Sequence, residues 1–440
     1  MPALAILSLG ALIAPPQQGA QHLYQVLGSP VSTRDLHSPT FVTSWPGNSE
    51  ILVVAERGVG QITAWLETDA GFTPTVVVDL NTAVTPPVYI PTSFLDFIGV
   101  TGFAFHPKFL SDQTRRFIYV RYNEIGQPSP PRVQTNVVRW RIKPGQNKVD
   151  PTSTTLIYSY PTEATGHGSG TLYFAAAPVS GSEILYVPMP DDAGVNPNND
   201  CLEMGEAQGG INSSDIGRLL SIAVDATTPI VTREAQGLRN PFGFSVDRGH
   251  ATTGQGEGDV WLGDTGWQNT GSVIRWIPGL GPIENYGWPW RELDGTAGQV
   301  SQPSYLLNSP CVGPNPAPPY TDHYFGFSDA APAWPSPPFS DAIIGGYVYR
   351  GSTFAPIQNR YVFGTYGVGG RKPRIYHIDP VSFPNLTVAD ITTQLGVDQW
   401  PAGHLLHALG QDADGELYLV RVDENNAPAQ TNNGKIFKIQ

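Results

Sequence analysis

Short β-prone runs recur along almost the whole chain, each bounded by turn residues, and no long segment repeats its apolar positions with the period of about 3.6 that an amphipathic helix needs. Residues 51–57, 61–66 and 75–80 open the series. Residues 102–107, 117–122 and 136–142 continue it, and it persists to residues 434–440. A chain of this pattern cannot form a helical bundle or an alternating α/β sheet. It is predicted to be all-β.

The runs also echo one another. A strand, a polar turn with glycine and an aromatic-bearing strand occur at 244–264, return at 409–419, and appear in looser form at 172–187. Such a unit cannot bury both of its faces alone, and radial repetition of four-stranded sheets solves that problem. The length then suits a six-bladed β-propeller with about 70 residues per blade and long inter-strand loops. A pair of β-sandwiches is the structural alternative, but no linker-like change of composition divides residues 22–440. The Pro- and Ser-rich stretch 299–340 is poor in strand pattern and reads as a surface excursion shaping the rim of a cleft.

Composition narrows the function. A formal charge of -13 with 25 basic residues argues against nucleic acid, whose phosphates would be repelled. Residues 1–14 form an apolar run of signal-peptide length without a basic start, followed by Pro15 and Pro16. Residues 1–20 are therefore expected to be a signal peptide or an N-terminal tail, and the mature protein to be secreted or periplasmic with no membrane span. Cys201 and Cys311 fit either one disulfide or two loop-borne thiols, and neither belongs to a C-x-x-C pair.

Several segments carry candidate chemistry. His167, framed by small residues, precedes one strand, and Asp191 closes the next. A hairpin can bring the carboxylate beside an accessible imidazole and so make a general base; a surface hairpin with an idle histidine is the plain alternative. Arg239-Asn240-Pro241 sets a guanidinium fork and an amide side by side before a strand. At Gly266 and Trp267 a glycine-bearing turn can direct carbonyls toward a hard cation such as calcium. Residues 284–290 offer an aromatic wall, suited to sugar faces or to core packing. Arg350 ends another strand, and Arg371, Lys372 and Arg374 cluster in a chain poor in cations. That cluster points to an anion such as a polycarboxylate, or to a solvated turn on an acidic surface.

Taken in order, these pieces resemble the soluble PQQ-dependent sugar dehydrogenases: glucose, aldose-sugar and sorbosone dehydrogenase-like propellers, with hedgehog-interacting-protein-like relatives. The likeness runs from about residue 25 to 440 and rests on residues 102–107, 167–172, 185–191, 217–225, 237–241, 285–289, 345–351 and 415–418. It implies a six-bladed propeller holding PQQ and calcium above its central channel. In it His167 falls on the base that takes a proton from the sugar's anomeric hydroxyl, and Asp191 on the carboxylate that orients that base. Arg239, Asn240, Arg350, Arg371 and Arg374 fall on cofactor-binding positions, and Gly266 and Trp267 on the calcium carbonyls. An external acceptor would take the electrons. A non-catalytic propeller of the same family, binding a glycan or a protein partner, is the alternative. The chain departs from the family at residues 190–194, where Pro-Asp-Asp-Ala-Gly replaces Gly-Asp-Gly-Gly. It departs again at Gly166 and at Gln268-Asn269, and it carries a longer turn at 175–183.

Overall fold

Most of the apolar runs become strands covered on both faces. Ile184–Met189 and Ile343–Val348 are buried at every position, whereas Ile230–Gln236, at the outside of its sheet, is largely exposed. Continuous apolar runs rather than strict alternation are what two-sided burial demands. The computed structural model describes residues 22–28, 34, 36–68, 71–84, 98–125, 133–162, 167, 170–191, 215–266, 270–279, 283–288, 325–328, 342–367, 371–381, 387–423 and 432–440. The expected leader at 1–20, both cysteines and Trp267 lie outside them.

Among the described residues the strands form five sheets, one of nine strands, one of five and three of four, in which chain neighbours pair antiparallel. The nine-stranded sheet unites the chain ends, because Leu23–Leu27 pairs with Asn432–Ile439 in the register Leu23↔Ile439 and Tyr24↔Lys438. Its two halves join through a single parallel pair, Gln411↔Thr43. The three sequence echoes become antiparallel hairpins: Tyr173–Phe174 with Ile184–Met189, Pro241–Val246 with Val260–Thr265, and His404–Gln411 with Leu417–Asp423. One expectation fails within 299–340. Phe325–Ser328 is a strand that completes a four-stranded sheet by pairing with Thr270–Trp276. Four residues are too few to show a period, so the tertiary pairing decided their state.

Packing closes these sheets into a ring. Apolar clusters join the first sheet to the second through Phe41 and Phe103, and the second to the third through Tyr119 and Leu185. Others join the third to the fourth through Tyr186 and Trp276, and the fourth to the fifth through Trp261 and Tyr361. The fifth packs back on the first through Tyr347 and Leu409. Trp65, Trp140 and Trp261 are wholly buried in this arrangement, each contributing on the order of 3 kcal/mol. Two glycines permit the closest approach between sheets. A Cβ at Gly243 would lie 2.2 Å from the Ile344 carbonyl oxygen, and Gly345, at φ 75°, faces it.

Five aromatic rings, one from each sheet, meet at the middle of the ring. Phe41 contacts Phe103 and Tyr173 edge-on at 5.2 and 6.1 Å, and Tyr173 contacts Phe244 and Tyr347 at 5.3 and 6.1 Å. The Tyr173 and Tyr347 hydroxyls hydrogen-bond to each other across this plug. A cavity of only about 20 Å³, lined by Thr40, Thr101, Thr171 and His407 among others, remains along the axis.

Candidate active site at the mouth of the ring

His167, Asp191, Arg239 and Gly266 come together from different turns at one end of the strands. Two backbone contacts seat them. Asp191, just beyond Ile184–Met189, donates its N–H to the Arg239 carbonyl at 2.6 Å. Gly237, at φ 71°, turns the chain from the strand Ile230–Gln236 into Arg239-Asn240. A side chain there would meet the Asn285 Oδ1 at 2.4 Å and the Gly287 nitrogen at 2.5 Å, so only glycine fits. The same turn accepts the Trp288 N–H at 3.0 Å on the Gly237 oxygen, which brings the indole 5.2 Å from the Arg239 guanidinium carbon.

The histidine and aspartate form the expected pair. His167 Nδ1 lies 2.5 Å from Asp191 Oδ1, with the imidazole side chain 15 % exposed and the carboxylate 4 %. A carboxylate only accepts, so Nδ1 carries the proton and Nε2 presents its lone pair. The Arg239 Nη2 lies 3.5 Å from that nitrogen. Burial foremost, and then the Arg239 charge, hold the imidazole below its ordinary pKa, while Asp191 opposes both. The result is a neutral base, oriented by a carboxylate, with a cation beside its lone pair.

Arg239 and Asn240 are held from behind by a residue that sequence reasoning left unassigned. Asp264, 4 % exposed, accepts the Arg239 N–H at 3.1 Å and the Asn240 N–H at 2.7 Å. Burial pushes its carboxyl up to about 7 against those hydrogen bonds. Asn240 Oδ1, by contrast, is buried and accepts no hydrogen bond. The Arg239 guanidinium lies within reach of both the base and the indole, a pairing of cation and flat ring that suits a planar, anionic ligand.

The remaining expected site residues fare differently. Gly266 is in the group, but its carbonyl accepts the Arg239 Nη1 at 2.8 Å, as does that of Thr265. Arg350 is not at this end at all. The strand Pro241–Val246 runs from Asn240 to Asp247, about 20 Å for that number of extended residues. Arg350 grips Asp247 at its far end, with Nε–Oδ1 at 2.9 Å and Nη2–Oδ2 at 2.6 Å. The assignment of Arg350 to the cofactor is therefore corrected: Arg350 follows Ile343–Val348 instead of preceding it, and so emerges on the opposite face. Arg374 lies near the correct end, since its N–H meets Thr365 Oγ1 at 3.1 Å, but its guanidinium pairs with Asp390 on the outer strand Val388–Asp390. Arg371 is exposed beside it.

No protein-family model matches the chain. Solved structures do. A glucose dehydrogenase superposes with a TM-score of 0.63 at 16 % identity, covering 95 % of this chain and 99 % of its own. The fold is shared with that enzyme. The soluble aldose sugar dehydrogenase (Asd) from Escherichia coli, in its apo form, gives 0.60 at 16 % identity over 95 % of this chain and 99 % of its own. The PQQ-bound form of aldose sugar dehydrogenase (Adh) from Streptomyces coelicolor gives 0.57 at 18 %, covering 97 % and 99 %. The resemblance first seen in the motifs thus extends over nearly the whole chain, and at these identities it is the architecture that is shared.

Proposed function

We propose that residues 22–440 form a six-bladed propeller that oxidises an aldose or related sugar with PQQ, His167 acting as the general base. The blade number follows from dividing the nine-stranded sheet at its single parallel pair, where an additional apolar cluster around Val42, Trp65, Ala408 and Val420 packs one half on the other. Each half then supplies four strands in succession, and the remaining four sheets complete the ring.

The observation that carries the chemistry is the 2.5 Å contact between His167 Nδ1 and Asp191 Oδ1, which leaves Nε2 unprotonated, its lone pair met at 3.5 Å by an Arg239 N–H that a substrate hydroxyl would replace. Nε2 would take the proton of the sugar's anomeric hydroxyl. Asp191 would hold the tautomer and offset the charge of the imidazolium, and the lowered pKa would let that proton leave again. Arg239 would face the negative charge developing on the substrate oxygen. PQQ, when bound, supplies an electrophilic quinone carbon that receives the hydride, and the electrons then pass to an external acceptor. The residues present fit that cofactor: Arg239 would meet a carboxylate or quinone oxygen, Trp288 would border a planar ring, and Asn240 Oδ1 would accept from a donor.

Calcium does not fit the arrangement in the same way. The Gly266 oxygen already receives a guanidinium N–H at 2.8 Å, which sets a positive charge where the ion would sit. Reconstitution tests the proposal: PQQ is added to purified protein with and without calcium, and quinone absorbance, thermal stability and dye reduction with a sugar panel are read. PQQ at 100-fold excess over its Kd should raise stability by about 2.7 kcal/mol, and at least one sugar should then reduce the dye. Uptake should not require calcium; a strict requirement would mean that Arg239 leaves Gly266 on loading. If PQQ neither stabilises the protein nor supports dye reduction, the chain is a propeller that only binds.

A further inference from the structure

On the face opposite His167, between the fourth and fifth sheets, a cavity of about 280 Å³ is walled by side chains that the dehydrogenase reading does not use. We propose that this cavity is a second binding site, for one neutral, polyhydroxylated ring such as a monosaccharide. It is independent of the His167 site.

The charge pattern sets the ligand class. Three guanidinium–carboxylate pairs line the cavity: Arg275–Asp259 at 2.5 Å, Arg350–Asp247 at 2.6 Å, and Arg360–Asp379. With every charge met by its opposite, the site has no net attraction for an ion of either sign. Arg350 is largely engaged as well, since beyond Asp247 it donates to Asn359 Oδ1 at 2.7 Å and to the Gln255 oxygen at 3.1 Å. What remains open is a mixture of donors and acceptors. Both Arg275 contacts fall on Asp259 Oδ2, leaving Oδ1 as an acceptor. Arg360 meets Asp379 through Nη1, and with its side chain 37 % exposed it can offer further N–H donors. His250 Nδ1 accepts the Thr252 N–H at 3.3 Å, so its Nε2 bears a proton toward the cavity. Asn359 accepts on Oδ1, and its amide N–H groups are left to donate.

A hydroxyl is the group that donates and accepts at once, and a ring of hydroxyls is what an alternating set of fixed donors and acceptors matches. One wall is prepared for it, because the bidentate Arg350–Asp247 pair locks those side chains before any ligand arrives. The volume lies just under the roughly 300 Å³ at which small-molecule pockets begin, which suits one ring and excludes an oligosaccharide.

The test is calorimetric titration of the full chain with a panel of monosaccharides, alongside inorganic phosphate and glycine, followed by crystal soaking with the tightest sugar. The variants are His167→Ala, Arg360→Gln and the double substitution His250→Ala/Arg360→Gln, with thermal melts to confirm folding. At least one sugar should bind His167→Ala as it binds the wild type, with the Kd raised ten-fold or more in the double variant and electron density in this cavity. The proposal is overturned if no sugar binds His167→Ala. It is equally overturned if the double substitution, added to His167→Ala, leaves the sugar's Kd unchanged, or if phosphate or glycine occupies the cavity in preference to sugars.

Discussion

Asp264 gives a sharp physical test of how the mouth of the ring is built. Its carboxyl is buried behind Arg239 and Asn240, with a pKa raised from 3.8 to about 7. Below pH 3.8 the folded and unfolded chains both hold the proton, and the group makes no pH-dependent contribution. Between 3.8 and 7 the unfolded chain loses the proton while the folded one keeps it, so stability falls as pH rises. Above 7 the full penalty applies, about 4 kcal/mol at 1.36 kcal/mol per unit. Asp264→Asn cannot titrate. Its amide oxygen can keep the Asn240 N–H and the 3.2 Å contact with the Arg239 N–H, but its NH2 group would face the same Arg239 N–H, which Oδ2 now also accepts at 3.1 Å. That donor–donor contact should cost about 1–3 kcal/mol. Denaturant unfolding at pH 4 should therefore find the wild type more stable than the variant, and at pH 8 the order should reverse. A stability difference that stays constant from pH 4 to 8 would refute the reasoning, for it would mean that Asp264 is ionised throughout.

Other perturbations probe separate parts of the molecule. The acid limb of a kcat/KM profile should lie below pH 6.5, because burial and Arg239 lower the His167 pKa and only the neutral imidazole is a base. Asp191→Asn removes the one opposing influence and should move that limb lower still. Tyr347→Phe removes the partner of the partly buried Tyr173 hydroxyl and should cost about 1 kcal/mol in chemical unfolding, while the double change to phenylalanine should recover part of that loss. Gly237→Ala should lower the melting temperature and weaken PQQ uptake together, since its φ of 71° and the 2.4 Å approach to Asn285 leave no room for a methyl group.

Much of this was legible in the residues. The runs at 51–57, 61–66 and 75–80 lie within or across the strands Asn48–Glu56, Gln61–Thr68 and Gly71–Asp79, because short β-branched runs between turns have few other options. His167 and Asp191 were linked by their places before and after adjacent strands, and the structure joins them. Arg350 was misplaced for a reason that the sequence already contained. Strands alternate direction, so a residue that precedes the first strand of a sheet, as Arg239 does, and one that follows it, as Arg350 does, emerge on opposite faces. Asp264 was hidden more deeply. Its role depends on a register, Pro241↔Asp264, that sets two distant segments side by side and that no local pattern encodes. The conflict at Gly266 was likewise invisible, because it arises from the path of a single arginine side chain.

The most direct measurement is sugar-dependent dye reduction by PQQ-loaded wild type and His167→Ala, with quinone content quantified in each. The expected result is turnover by the wild type and a loss of about 10²–10⁴-fold in the variant at equal PQQ occupancy, the range for removing a general base. Undiminished turnover by His167→Ala, or none by a fully loaded wild type with any sugar, would contradict the assignment of His167 and Asp191 as the catalytic pair.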